Sequence, residues 1–309
     1  MSSVDATVLQ PASLQPIPQT PQDCLSYCNL IWRQQQLLVN LLLQFKQPYM
    51  PSLENQQRLI ECLKRSPVQL IRLDPNLSEA QIKFWADASH QTNKAVYLRL
   101  PAAEVLAKKR KTFSWFIKRS SDVLAAAFLL LLLMPLMLFI TLLICVYSPG
   151  PIFFRQWRVG ERGKLFQIYK FRTMVVDAEK LHHQVMANQN GLHKLKNDPR
   201  LTPIGAWMRK YSLDELPQLF NVLRGEMSLV GPRPWALYDA ARLSPEGKKR
   251  LNALPGITGA WQVQARSTLL DINAVNTLDL EYLDNWSLIK DFQILLQTFP
   301  KVLSGFGAF

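Results

Sequence analysis

The sequence predicts an α+β chain, mainly helical, in which a small α/β unit precedes a membrane-associated body with a re-entrant broken helix, a short β-hairpin and interfacial helices. Three observations carry this reading. Apolar spacing changes from helical to alternating between residues 52 and 100. An apolar run over 123–146 has Pro135 at its middle. Finally, Asp214 and Glu215 stand side by side among arginines, with Arg209 before them and Arg224 and Arg233 after.

Composition narrows the partners. At 309 residues and 48% hydrophobic, the chain can bury one large core or two modest ones. Its net charge of +13 calls for an anionic partner: nucleic acid, an anionic membrane face or a phosphorylated substrate. The charge lies beside an apolar segment and surrounds two carboxylates, which disfavours nucleic acid. Cys24, Cys28, Cys62 and Cys145 lack Cys-x-x-Cys spacing, and His182 and His183 have no partner at a zinc-like interval. No zinc site is expected, and Cys24 and Cys28 are expected as reduced thiols on one helical face.

Residues 1–20, with Pro11, Pro16 and Pro18 and no apolar period, read as a disordered lead. They lack the charged and apolar regions of a signal peptide. Residues 21–105 form the small α/β unit. A helix is expected from the Thr20 cap and Pro21 to about Phe45, and a second over 52–64. Strands over 68–73 and 95–100 flank a helix capped by Ser78. Asp74-Pro75-Asn76 replaces the glycine-rich turn that a nucleotide site requires, so the unit reads as a scaffold or regulatory module.

Residues 106–309 make the second part. Its apolar run of 24 residues is long enough to span a bilayer. However, Pro135 leaves two arms of about 18 Å each at 1.5 Å per residue. Basic residues bracket both ends, from Lys108 to Arg119 and from Arg155 to Arg172, which offends the positive-inside preference for a spanning helix. A re-entrant hairpin over about 123–146 satisfies both flanks. Alternation about Gly160–Gly163 then signals the β-hairpin, ending on Lys170 and Arg172. Residues 175–197 read as a polar surface helix.

At 209–234 the chemistry concentrates. Leu216, Leu219, Phe220 and Leu223 recur at helical spacing, Gly225 is placed as a stop, and the helix is expected to open at about Asp214. Ser212-Leu213-Asp214-Glu215 also fits a Ser-x-x-Glu capping box, in which the acids serve only the helix dipole. The surrounding cations favour phosphate chemistry instead. Attack on a diphosphate requires neutralisation of charge. Aspartate is ionised at neutral pH and needs no general base, and a neighbouring carboxylate suits Mg²⁺.

Ser-Leu-Asp-Glu-Leu-Pro-Gln at 212–218, Asn-Val-Leu at 221–223, Met-Ser-Leu-Val-Gly-Pro-Arg-Pro at 227–234 and Pro-Gly-Ile-Thr-Gly at 255–259 resemble the signature of the bacterial sugar transferases, the monotopic polyprenyl-phosphate phosphoglycosyl transferases. The resemblance covers about 118–309. It implies transfer of a sugar 1-phosphate from a UDP-sugar to polyprenyl phosphate with release of UMP, at the cytoplasmic face of the bacterial inner membrane. Asp214 would be the nucleophile and Glu215 a Mg²⁺ ligand. Lys170, Arg172, Arg209, Arg233 and Arg266 would bind substrate, and Lys118, Arg119, Asp122 and Pro135 would mark where a broken helix dips into one leaflet. Ser121 and Met134 depart from an aromatic residue and a serine common at those places. Trp261-Gln-Val resembles the hexose 1-phosphate transferases of exopolysaccharide and capsule pathways. The oligomeric state is left open, a homodimer included, and the alternative is a basic membrane-anchored scaffold without catalysis.

The glycines of 255–259 are expected to let backbone approach a ligand. Residues 279–309, with Trp286, Phe292 and Phe299, fit an interfacial helix or a core helix equally well.

Overall fold

The structure, a computed structural model, describes residues 28–41, 55–100, 113–178, 198–241, 243–264 and 272–305. Its first unit is a four-stranded sheet in the order β1-β2-β3-β4, formed by β1 (Cys28–Arg33), β2 (Gln36–Leu41), β3 (Leu70–Leu73) and β4 (Ala95–Leu98). β1 and β2 are antiparallel, whereas β2, β3 and β4 run parallel. The crossovers carry α1 (Gln56–Arg65), capped by Asn55, and α2 (Glu79–Gln91), where Ser78 and Gln81 form a capping box.

The helix expected from Thr20 to Phe45 is therefore corrected: 28–41 is a hairpin turning through Gln34 at φ 54°. Leu37 and Val39 alternate into the core and pair with Ile71 and Leu73, so non-local pairing overrides the helical start signals. Cys28 lies buried in a strand rather than on a helix, and Cys24 and the lead over 1–20 lie outside the described residues. Burial raises the Cys28 thiol pKa to about 11, which makes it an inert packing group.

A single helix, α3 (Phe113–Tyr147, 35 residues), begins the second part, with mean hydropathy 3.0 over its most apolar window, of which 17% is buried. It is long and apolar enough to cross a membrane. The helix continues through Pro135, so the expected break is an interior proline in one helix rather than a turn between two. Lys118, Asp122, Ala126, Met137, Ile140 and Ile144 bury one stripe against the body, while Phe128, Leu131, Leu132, Leu138, Phe139 and Leu142 are exposed on the others.

β5 (Phe153–Val159) and β6 (Leu165–Phe171) then form the expected hairpin around a 3-10 turn at Glu161–Gly163. The short β8 (Trp235–Ala236) joins β5 on its other edge. α4 (Pro203–Lys210) is capped by Thr202, and α5 (Gln218–Leu223) leads to β7 (Ser228–Val230), which runs parallel to β9 (Gly256–Thr258). α6 (Leu237–Ala241), α7 (Pro245–Lys248) and α8 (Ala260–Gln264) are short; α9 (Ile272–Asp284) and α10 (Leu288–Ser304) close the fold. The surface helix expected over 175–197 lies outside the described residues from 179 onward.

The two parts share one core. Leu37, Ile71, Trp85 and Val96 of the first unit belong to the same buried cluster as Trp157, Trp235, Leu237 and Trp261 of the second.

Candidate active site

Ser212 takes a left-handed backbone, φ 54° and ψ 22°, directly after α4. Few non-glycine residues adopt this conformation, so it marks a place where the surroundings dictate the turn. It starts a 3-10 turn over Leu213–Glu215, closed by the Glu215 N–H on the Ser212 carbonyl at 3.2 Å. The helix expected to open at Asp214 in fact begins at Gln218, with Pro217 as its N-cap. Ser212 makes no side-chain cap, so the capping-box alternative is not what the turn uses. Gly225, at φ 81°, ends the helix as expected.

This turn puts Asp214 inside the protein, 7% exposed, and Glu215 at the rim of a cleft. Lys170 of β6, in register opposite Phe154 of β5, reaches Glu215 with Nζ to Oε1 at 2.6 Å. From α4, Arg209 donates through Nε to Thr173 Oγ1 at 3.0 Å. Burial lowers the Arg209 pKa, and Asp214 is the leading charge that opposes this, with Glu215 a smaller one. Arg233 stacks over Trp261, 5.6 Å from its centroid, and lines a narrow, solvent-open cleft with Lys170, Glu215, Gln218 and Arg158. Three cationic side chains thus face one carboxylate rim, an electrostatic lining for an anion.

Two supports were not foreseen from the sequence. Asn221, fully buried, donates to the Gln167 and Glu226 oxygens at 2.8 and 2.7 Å and accepts from the Tyr169 N–H at 3.1 Å. It thereby pins α5 to β6 and fixes the distance between the carboxylate turn and Lys170. Arg250, ion-paired to buried Asp279, donates to the Arg233 carbonyl at 3.0 Å. Arg158 was visible only as one basic residue of a hairpin; the strand register that aims it at the cleft is a tertiary fact.

The remaining sequence-selected residues lie elsewhere. Arg172 points to the other end of α3, donating to the Ser148 and Pro149 carbonyls. Lys118 pairs with Asp291 at 2.6 Å and donates to the Val230 carbonyl at 3.1 Å. Arg119 donates to the Val222 and Met227 carbonyls at 2.7 and 2.8 Å, and Asp122 accepts from Ser228 Oγ at 2.6 Å. These three join the first turns of α3 to the body, and Pro135 lies midway along it. Arg266 lies outside the described residues. The glycines expected to admit a ligand also admit backbone: a Cβ on Gly256 would lie 2.1 Å from the Gly231 nitrogen, and Gly256 lines the cleft as well.

The sequence model of the bacterial sugar transferases matches residues 113–305, well over half of the chain. The chain belongs to the bacterial sugar transferase family. Among similar proteins is the galactosyl transferase CpsE of Streptococcus agalactiae, 45% identical over 162 residues, 52% of this chain and 36% of that protein. The undecaprenyl-phosphate galactose phosphotransferase of Salmonella typhimurium is 41% identical over 206 residues, covering 64% of this chain and 43% of that protein. The UDP-glucose:undecaprenyl-phosphate glucose-1-phosphate transferase of Caulobacter vibrioides is 42% identical over 200 residues, 62% and 72% of the two chains. The chain thus spans less than half the length of the first two relatives.

Proposed function

We propose that the protein transfers a sugar 1-phosphate from a UDP-sugar to polyprenyl phosphate, with release of UMP, as the first step of a surface-glycan assembly. The observation that carries this reading is the 3-10 turn that buries Asp214 where its charge acts on Arg209, while Glu215 meets Lys170 at the mouth of a cationic cleft. The names of the Salmonella and Caulobacter relatives describe the same class of reaction.

In this account Asp214 attacks the β-phosphorus, the bond from that phosphorus to the bridging oxygen breaks, and UMP leaves with the electron pair. The phosphosugar is then held as a mixed anhydride on Asp214. An oxygen of the polyprenyl phosphate displaces it, giving the polyprenyl diphosphate sugar and restoring the carboxylate. Arg209 stabilises the Asp214 carboxylate at rest, and Lys170 and Arg233 neutralise phosphate charge during transfer.

Glu215 is a carboxylate at the cleft that fits Mg²⁺. Among the described residues no group of three His, Cys, Asp or Glu converges, and Mg²⁺ is ordinarily held by one or two carboxylates with substrate phosphates and water completing the shell. When bound, the ion would supply charge neutralisation on the diphosphate. Glu215 is the ligand of choice, sharing its carboxylate with Lys170.

The α3 helix supports a re-entrant, monotopic placement at the cytoplasmic face of the inner membrane. Its 35 residues extend about 52 Å at 1.5 Å per residue, more than a bilayer core of about 30 Å. Yet the same folded body holds both arms: Ala126 packs with Leu219 and Val222, and Ile140 and Ile144 pack with Phe171 and Met208. One body cannot grip both ends of a helix from opposite sides of a membrane. On α10, Ile289, Phe292, Leu296, Phe299 and Leu303 form an exposed apolar stripe, which suits an interfacial helix beside it.

UMP release from a panel of UDP-sugars, with polyprenyl phosphate present, tests the reading. Turnover with at least one sugar, lost in Asp214→Asn, is the expected result; no release from any member of the panel contradicts it.

A further inference from the structure

We propose that Arg158 is a phosphate-binding residue of the cleft. The proposal rests on the functional reading above and adds a residue to it.

Successive side chains of a strand point to opposite faces. On β5, Trp157 turns to the first unit, where its Nε1 donates to Asp87 Oδ1 at 2.6 Å and its ring meets His90 edge-on at 5.8 Å. Arg158 turns the other way, into the cleft wall that also contains Lys170, Glu215 and Arg233. Asp87 and Trp157 thus anchor the back of the strand whose front presents the guanidinium.

The partners of Arg158 are neutral. Its Nη1 donates to the Pro234 carbonyl at 3.1 Å and its Nη2 to Gln156 Oε1 at 2.6 Å, while Nε is buried without a hydrogen-bond partner. Among the described residues no carboxylate is within ion-pair distance of it. Three interior cations have carboxylates, Lys118 with Asp291, Arg200 with Asp198 and Arg250 with Asp279, whereas Arg172, like Arg158, donates to neutral groups and has a buried Nε without a partner; what sets Arg158 apart is its place in the cleft wall. A guanidinium taken from water without a counter-ion is costly. Burial is the chief cause that lowers the Arg158 pKa and the like charge of Arg233 adds to it, while Tyr238, Asp239 and Glu215 oppose it without forming an ion pair.

Two guanidinium groups that face one cavity and repel each other are both relieved by an anion between them. Planar forks of N–H donors match phosphate oxygens in geometry as well as charge. The β8 pairing brings them together, since Val159 is opposite Trp235, and Arg158 and Arg233 thereby enter the cleft from two chain segments. Both substrates carry the shared chemistry, the donor in its diphosphate and the lipid in its monophosphate.

The test uses the full chain in detergent, with KM measured separately for UDP-sugar and for polyprenyl phosphate, and thermal stabilisation by UDP recorded without turnover. For Arg158→Gln the expected result is an unfolding temperature near wild type and a KM at least tenfold higher for one of the two phosphates. A rise for the donor, with loss of UDP stabilisation, assigns Arg158 to the diphosphate; a rise for the lipid alone assigns it to the acceptor. Unchanged KM for both overturns the proposal, including where kcat alone falls. If the Gln variant does not fold, Arg158→Lys decides by the same two KM values, because a point charge does not reproduce the fork. Failure of the functional reading is distinguishable. Wild type would then release no UMP, and the proposal would stand or fall on whether Arg158→Gln or, if that does not fold, Arg158→Lys abolishes UDP stabilisation.

Discussion

Ser212 spends backbone strain to face Asp214 inward, and the charges around it decide what that carboxylate and its neighbour do. Glu215 has Lys170 at 2.6 Å, both side chains only about one-sixth exposed. If Glu215 holds Mg²⁺, Glu215→Gln should lower turnover by about 100-fold or more, the order expected when a preorganised charge is removed from a phosphoryl-transfer site. It should also move the Mg²⁺ dependence of UMP release to higher concentration; an unchanged Mg²⁺ titration would remove Glu215 from the metal. A second residue-scale prediction concerns pH. The Asp198 carboxyl is held below its ordinary value of 3.8 chiefly by the Arg200 guanidinium, which donates from Nε and Nη2 at 2.8 and 2.6 Å. A depressed acid contributes stability that is fully present above the unfolded pKa and is lost as pH falls through the folded one. Acid unfolding of Asp198→Asn should therefore begin from a lower stability at neutral pH and fall less steeply below about pH 4 than wild type.

At the scale of elements, α3 is joined to the body by buried charges rather than by apolar contact alone. Asp122, 5% exposed, accepts from Ser228 Oγ and the Leu229 N–H at 2.6 and 3.3 Å and lies 3.6 Å from Lys118. Replacing Asp122 by Ala removes charge-assisted hydrogen bonds of about 1.5–3 kcal/mol each and takes the acceptor from the Leu229 N–H, while Ser228 Oγ keeps the Val230 carbonyl at 2.9 Å. The unfolding temperature in detergent should fall by several degrees; no change would mean that α3 docks without this joint. The sequence made Lys118, Arg119 and Asp122 visible as a cluster at the start of an apolar run, and their family motif marked them. What they bind, the loop from Val222 to Val230 and Asp291 on α10, is set by tertiary packing that no local pattern encodes. The same limit explains β1 and β2. A run such as Gln36–Leu41 has apolar residues too dense to separate strand from helix by period, and β3, more than thirty residues away, supplies the deciding pairs. Where the signal is local, as in the Ser78 capping box, the Gly160–Gly163 turn or the Gly225 stop, the sequence placed elements closely.

For the molecule as a whole, the shared core changes how the first unit is understood. Trp85, Ile71 and Leu37 are buried with Trp157, Trp235 and Trp261, and Asp87 joins the units through Trp157. Sequence could separate an α/β unit from the transferase body but had no means to show that one closes the core of the other. Topology belongs to this scale as well. Single cysteines placed beside Arg155 and at Lys210, outside the apolar stripe, should react with an impermeant reagent from the same side as one placed at Glu61 in the first unit. Labels from opposite sides would require α3 to span. The central claim is that Asp214 is the nucleophile, and labelling without acceptor tests it most directly. Protein mixed with UDP-sugar labelled in the sugar, in the absence of polyprenyl phosphate, should on rapid quench yield UMP in proportion to enzyme and carry the label on the peptide containing Asp214. Adding polyprenyl phosphate should discharge it, and Asp214→Asn should acquire none. Turnover by wild type with no label on Asp214, or by Asp214→Asn near the wild-type rate, would contradict the account.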